Sequence, residues 1–264
     1  MTAPMSSGRA RRAVFSVALC AGLVTLLAAC STPEDPDAGT NGVGKLTAVE
    51  IEKKAQAAVD GAAAVRLSGA LVSQGETYRL NMRLKENGGT GSVTSADDTF
   101  ELMRVEDDLW LKADAGFWTH ESEGGSDGGA GAPTTSDTEA ADKLQDKYVK
   151  VPQDDKSYKQ LRGFTDIKVL LGGLLSLHGE LTKGDHSKVG GIRTIKVIAS
   201  KGAGGTLDVS LQGVPYPLQL MRAGGAGTLT LTDWGKDFTL EAPPKGQTVD
   251  YGSDLPESSS SSDG

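Results

Sequence analysis

The chain has 264 residues, with 27 Lys+Arg against 35 Asp+Glu, a formal net charge of −8 and two cysteines. The acidic balance gives no electrostatic reason to seek nucleic acid or anionic lipid headgroups. Two cysteines, one of them inside an N-terminal apolar run, exclude a disulfide framework.

Arg9, Arg11 and Arg12 precede an apolar run from Val14 to Ala29, and small residues then lead into Cys30. That layout is a secretory signal over residues 1–29. The quartet Leu27-Ala28-Ala29-Cys30 resembles the lipobox of bacterial lipoproteins. The resemblance implies diacylglyceryl transfer to the Cys30 thiol, cleavage between Ala29 and Cys30, and anchoring by palmitate-type chains to the outer face of the cell membrane. An uncleaved anchor is the alternative, but the run is shorter than the roughly 20 residues a spanning helix needs. The polar stretch Ser31–Pro36 follows it in place of a basic stop-transfer cluster. Arg11-Arg12-Ala13-Val14-Phe15 resembles a twin-arginine export motif, while paired arginines also occur in ordinary signals, so either export route stays open. Loss of residues 1–29 removes three arginines and Cys20 and takes the formal charge to −11. The mature chain then has no disulfide partner, and an acylated Cys30 has no thiol for redox or metal chemistry.

Residues 30–44, rich in Pro, Gly and Asp, read as a lipidated flexible tether with an r.m.s. span of about 20 Å. Residues 45–245 fit one domain, and the Ser-rich stretch 246–264 reads as a disordered tail. The domain opens at Thr47-Ala48-Val49-Glu50, a capping-box spacing with Leu46 and Ile51 placed as a hydrophobic staple, and its helix runs to Asp60 before Gly61. From Val65 the apolar period becomes two. Strands are expected at about 64–71, 78–85, 92–95, 99–105 and 109–113, continuing to Phe117-Trp118.

A Gly- and Ser-rich loop over 121–135 interrupts the strands. Helices follow at about 136–146 from the Ser136-Glu139 capping spacing, at Lys156 to Arg162, and at Ile167 to His178. The last is apolar around most of its circumference, with only Lys168, Gly172 and Ser176 forming a polar stripe. It reads either as a buried core helix or as a lid over an apolar ligand. Strands resume at about 180–189, 192–199, 206–211, 216–221, 228–232 and 238–240. The class is α+β, a large antiparallel sheet of about eleven strands that curls because its helices are too few to cover it.

Four sequence words then carry a resemblance. Leu109-Trp110-Leu111-Lys112-Ala113 with Phe117-Trp118, Lys147-Tyr148-Val149-Lys150-Val151-Pro152, Gly213-Val214-Pro215-Tyr216-Pro217-Leu218 and Thr232-Asp233-Trp234-Gly235 resemble the LolA-like fold, and within it the actinobacterial LppX/LprG group of lipoproteins. The resemblance implies a half-barrel with helices across its concave side that binds acylated lipids and transfers them, with no catalytic motif. An acyl chain would lie against Leu80, Met82, Leu102, Leu111, Val209 and Leu211 of the sheet and Leu170 and Leu174 of the lid. The alternative is an envelope adaptor or sensor whose sheet is filled by its own side chains and takes no ligand.

Enzymatic readings have little support. His120, His178 and His186 lack metal-ligand spacing, Asp97-Asp98 and Asp107-Asp108 fall in turns, and neither a phosphate-cradling loop nor G-x-S-x-G is present. No metal and no cofactor is expected.

Overall fold

The computed structural model describes residues 35–73, 75–95, 98–118 and 135–249. The signal segment with Ala29 and Cys30, the loop residues 119–134 with His120, Asp97, and the tail beyond Val249 lie outside them.

Helix α1 spans Ala48–Asp60 and starts where its caps dictate: Thr47 Oγ1 accepts from Glu50 N–H, and the Glu50 carboxylate accepts from Thr47 N–H at 3.0 Å. Its inward face, Ile51, Ala55 and Val59, is buried. The strands are β1 Ala64–Ser73, β2 Glu76–Lys85, β3 Gly88–Ser95, β4 Asp98–Val105, β5 Asp108–Ala113, β6 Tyr148–Val151, β7 Leu181–Val189, β8 Ile192–Ala199, β9 Thr206–Ser210, β10 Pro217–Met221, β11 Gly227–Thr232 and β12 Thr248–Val249. They form one open sheet in the order β12-β6-β5-β4-β3-β2-β1-β11-β10-β9-β8-β7, antiparallel except for β12 on β6. Two meanders therefore meet at β1 and β11, and the free edges are β12, added beyond the end of the first run, and β7, the start of the second.

Register lines up the apolar positions. Leu231, Leu67, Met82, Gly91, Leu102, Leu111 and Val149 form one row across seven strands, each directly opposite the next. Because side chains alternate across a strand, this row and the rows two residues to either side of it point to one face. A Cβ on Gly69 would run into the carbonyl oxygen of Thr228 on β11, so glycine permits the close approach of the two meanders, at φ 143.

The helices cover that face in two separate pieces. Helix α1 lies against β7 and β8; α3, Lys156–Thr165, lies against β2, β3 and β4. Helix α4, Ile167–Leu174, packs on α3, while α2, Thr135–Leu144, precedes β6. Beneath this cover a single core joins α1, α3 and α4 to the sheet.

Several details depart from expectation. Among the described residues the strand count is twelve, because Tyr148–Val151 pairs with β5 and Thr248–Val249, expected as part of the tail, pairs with β6. Residues 238–240 form no strand, since β1 and β2 already have partners on both sides; Phe238 instead packs under Arg83, whose guanidinium lies 4.5 Å from its ring centre. Phe117-Trp118 belongs to a helical turn over 115–118, with Asp114 accepting from Phe117 N–H. Helix α3 runs two residues past Gly163 to Thr165, and α2 begins at Thr135. Helix α4 stops at Leu174 rather than His178, because Gly172 and Gly173 weaken it and Ser176 Oγ turns back to the Gly172 carbonyl at 2.7 Å.

The segment expected as tether is held to the sheet from Asp37 onward. Arg193 donates to the carbonyls of Ala38 and Gly39, Asn41 N–H donates to Leu211 O, and Lys183 Nζ donates to Gly44 O at 2.8 Å. Val43 enters the core.

Candidate ligand-binding face

The concave face is built by alternation, and the structure brings the sequence-selected side chains onto it. Leu80 and Met82 come from β2, Leu102 from β4, Leu111 from β5, Val209 from β9, and Leu211 follows β9. All six belong to one core cluster, and Met82, Leu102, Val209 and Leu211 are 0% exposed. A side chain with no exposure borders no space that admits a water molecule, so at these four positions the face is filled. Leu170 and Leu174 of α4 are half-buried and pack against the same cluster.

Helix α4 is weakly built and firmly hinged. Its N-terminus is capped by Asp166, whose carboxylate accepts from Lys168 and Val169 N–H at 3.0 and 3.1 Å. The junction with α3 is locked to the sheet by Arg104, a cation 3% exposed on the concave face. Its guanidinium donates to Thr165 Oγ1 at 3.1 Å, Thr165 O at 3.0 Å and Glu106 O at 2.6 Å. Burial is the main cause pulling the Arg104 pKa below the ordinary arginine value, with Asp166 opposing it; arginine nevertheless stays protonated. Tyr158 Oη donates to Asp107 O at 2.7 Å and fixes α3 beside it. The rest of α4 has little to hold it. Only Ile167 and Leu171 are buried within it, Leu175 beyond its end, and the outward side of Gly172 and Gly173 meets nothing.

Between the two pieces of cover lies an open cavity of about 230 Å³. Its apolar lining includes Val59 from α1 and Ile167 from α4, both core residues, while Gln56, Asp60, Glu86 and Lys168 supply polar groups. It is smaller than the roughly 300–1,000 Å³ typical of small-molecule sites. It lies at the seam of the cover, and this opening, called the mouth below, brings core side chains and charged groups together.

Sequence reasoning did not find this mouth, the Arg104 lock or the strap from Asp37 to Lys45. Arg104 could have been found, since it continues the inward register Phe100, Leu102 and interrupts it with a cation. The mouth residues carry no local signal, because α1, the β2–β3 turn and α4 are distant in the chain. Of the histidines, His186 lies 2.9 Å from Asp37 and His178 is exposed; among the described residues no cluster of His, Cys, Asp or Glu could hold a metal.

No family model and no curated protein matches the chain. Among solved structures it is similar to LprF from Mycobacterium bovis, at 14% identity and TM-score 0.46, covering 74% of this chain and 96% of that one. It is also similar to Mycobacterium tuberculosis lipoprotein LppX, at 13% identity and TM-score 0.41, with 74% and 98% covered. An uncharacterized conserved protein from Thermus thermophilus aligns at 10% identity and TM-score 0.33, over 77% of this chain and 98% of that one.

Proposed function

We propose that this chain is an extracytoplasmic lipoprotein, anchored through an acylated Cys30, which takes up an acylated lipid or similar amphiphile between the concave face and α4. The observation that carries the reading is the mouth: an opening lined by Val59 and Ile167 together with charged groups, at the seam of a split cover over an apolar face that runs the width of the sheet. Such an arrangement suits a molecule with an apolar tail and a polar head. Since the face is filled, an acyl chain enters by displacing the Leu170 and Leu174 side of α4 about the Arg104–Thr165 lock. Leaving water gives the chain roughly 25 cal/mol per Å², set against the cost of moving α4 and ordering the ligand. Transfer between membranes is the role we assign to a carrier so built; no catalytic step is part of it.

The complete burial of Met82, Leu102, Val209 and Leu211 favours a second reading, an envelope adaptor or sensor with a closed core. A fluorescent fatty acid separates the two. The carrier binds it saturably with Leu170 and Leu174 in contact, and Leu174→Arg lowers that affinity at least tenfold while the melting temperature shifts little, because Leu174 is half-buried. No saturable binding by the parent protein would leave the adaptor reading.

A further inference from the structure

We infer that the end of the sheet bearing the β7–β8 turn and the loop after β9 rests on the bilayer surface, so that the mouth opens toward the membrane. This rests on the reading of Cys30 as the lipid anchor.

Asp37, where the strap meets the sheet through His186, stands seven positions after Cys30. Seven residue steps reach about 25 Å at most, whatever their conformation. An acylated Cys30 therefore keeps the contact point of the strap close to the lipid headgroups. That contact point is defined by hydrogen bonds: Arg193 to the carbonyls of Ala38 and Gly39 at 3.1 Å each, and Asn41 Nδ2 to the carbonyls of Ser210 and Gly213 at 3.0 Å each.

The residues that adjoin these contacts in the chain are apolar and exposed. Ile192 adjoins Arg193 and is 36% exposed; Val214 adjoins Gly213 and is 50% exposed. Lys188 stands opposite Arg193 across the β7–β8 hairpin, placing two cations beside the apolar tips. Exposed apolar side chains flanked by Lys and Arg suit the boundary between headgroups and acyl chains.

Register then places the mouth at this same end. Val189 faces Ile192 at the β7–β8 turn, Thr194 faces Ser210, Val209 faces Pro217, Gln219 faces Thr230, Arg66 faces Thr232 and Ala64 faces Lys85, so the β7–β8 turn, the start of β1 and the β2–β3 turn share one end. The mouth residues Gly61, Ala62, Ala63 and Glu86 belong to it. A second exposed pair, Val72 and Met221, lies at the opposite end, near the β1–β2 and β10–β11 turns, and is the rival surface.

The lipidated protein, incorporated in phosphatidylcholine vesicles containing a nickel-chelating lipid, tests the orientation. With Cys20 removed and Cys30 acylated, Val214→Cys or Met221→Cys supplies the one free thiol for a nitroxide, at an exposed site. Relaxation of the nitroxide by the lipid-borne nickel is expected to be several-fold stronger at position 214 than at 221. Equal relaxation, a stronger effect at 221, or none at either overturns the orientation. Flotation of Cys30→Ser with the same vesicles is read separately. Lost flotation upholds the anchor whatever the nitroxides report, whereas retained flotation overturns the anchor and the orientation together.

Discussion

Replacing Arg104 by methionine removes the side chain that ties the α3–α4 junction to the sheet. Three hydrogen bonds are lost, and the carbonyl oxygens of Thr165 and Glu106 lose a charged donor in a buried setting. Bonds to a charged group contribute about 1.5–3 kcal/mol each, and an orphaned buried acceptor costs about 1–3 kcal/mol. Against that, methionine needs no desolvation, a relief of several kcal/mol on the scale of a buried ion. The balance is a loss of about 2–4 kcal/mol. For a domain of this size each kcal/mol moves the melting temperature about 2–4 °C, so Arg104→Met should melt about 5–15 °C below the parent. Hydrogen exchange supplies the local readout: amides of Ile167 to Leu171 should exchange faster in the variant than those of α1. A melting temperature within about 1 °C of the parent, with unchanged exchange in α4, would refute the lock.

Three further outcomes follow from packing and charge. Gly69→Ala places a Cβ on the Thr228 carbonyl between β1 and β11 and should lower thermal stability by more than about 2 kcal/mol, since the backbone must separate where the meanders join. Val209 is fully buried, so Val209→Trp should destabilise by about 1–3 kcal/mol or more through overpacking; a variant as stable as the parent would contradict the close packing of the face at this position. The hydrogen bonds from Thr47 hold the Glu50 carboxyl below its ordinary value of 4.5. A carboxyl depressed on folding stabilises above its ordinary pKa and loses that contribution as pH falls through the folded value. The difference in melting temperature between Glu50→Gln and the parent should therefore be full near neutrality and close as the pH drops below 4.5.

How much could be read in advance depends on the range of the interaction. The two-residue period of Val65, Leu67 and Leu71, and of Leu80, Met82 and Leu84, is local, and it placed those strands and their inward face. The Thr47–Glu50 cap is likewise local. What escaped was set by partners far along the chain. Ser31 to Gly44 has the composition of a coil, yet Arg193, Lys183 and Leu211, more than 130 residues away, hold its second half. Residues 238–240 have the pattern of a strand, but neither β1 nor β2 has a free side to receive one. Thr248–Val249 is too short to show a period and is a strand only because β6 is an open edge. Among the candidate ligand contacts, alternation identified the inward positions. It could not tell a filled face from an empty trough, because both need the same apolar residues and differ only in how closely opposite sides approach.

The most direct test of the account is mass spectrometry of the organic extract of the mature domain, produced with Cys30 replaced by serine so that no anchor lipid is carried along. The extract should contain one class of acylated lipid, approaching one molecule per chain, and should be depleted of it in Leu174→Arg. An extract free of lipid from protein made in a host with an intact envelope, together with no uptake of added acyl lipid, would contradict the carrier.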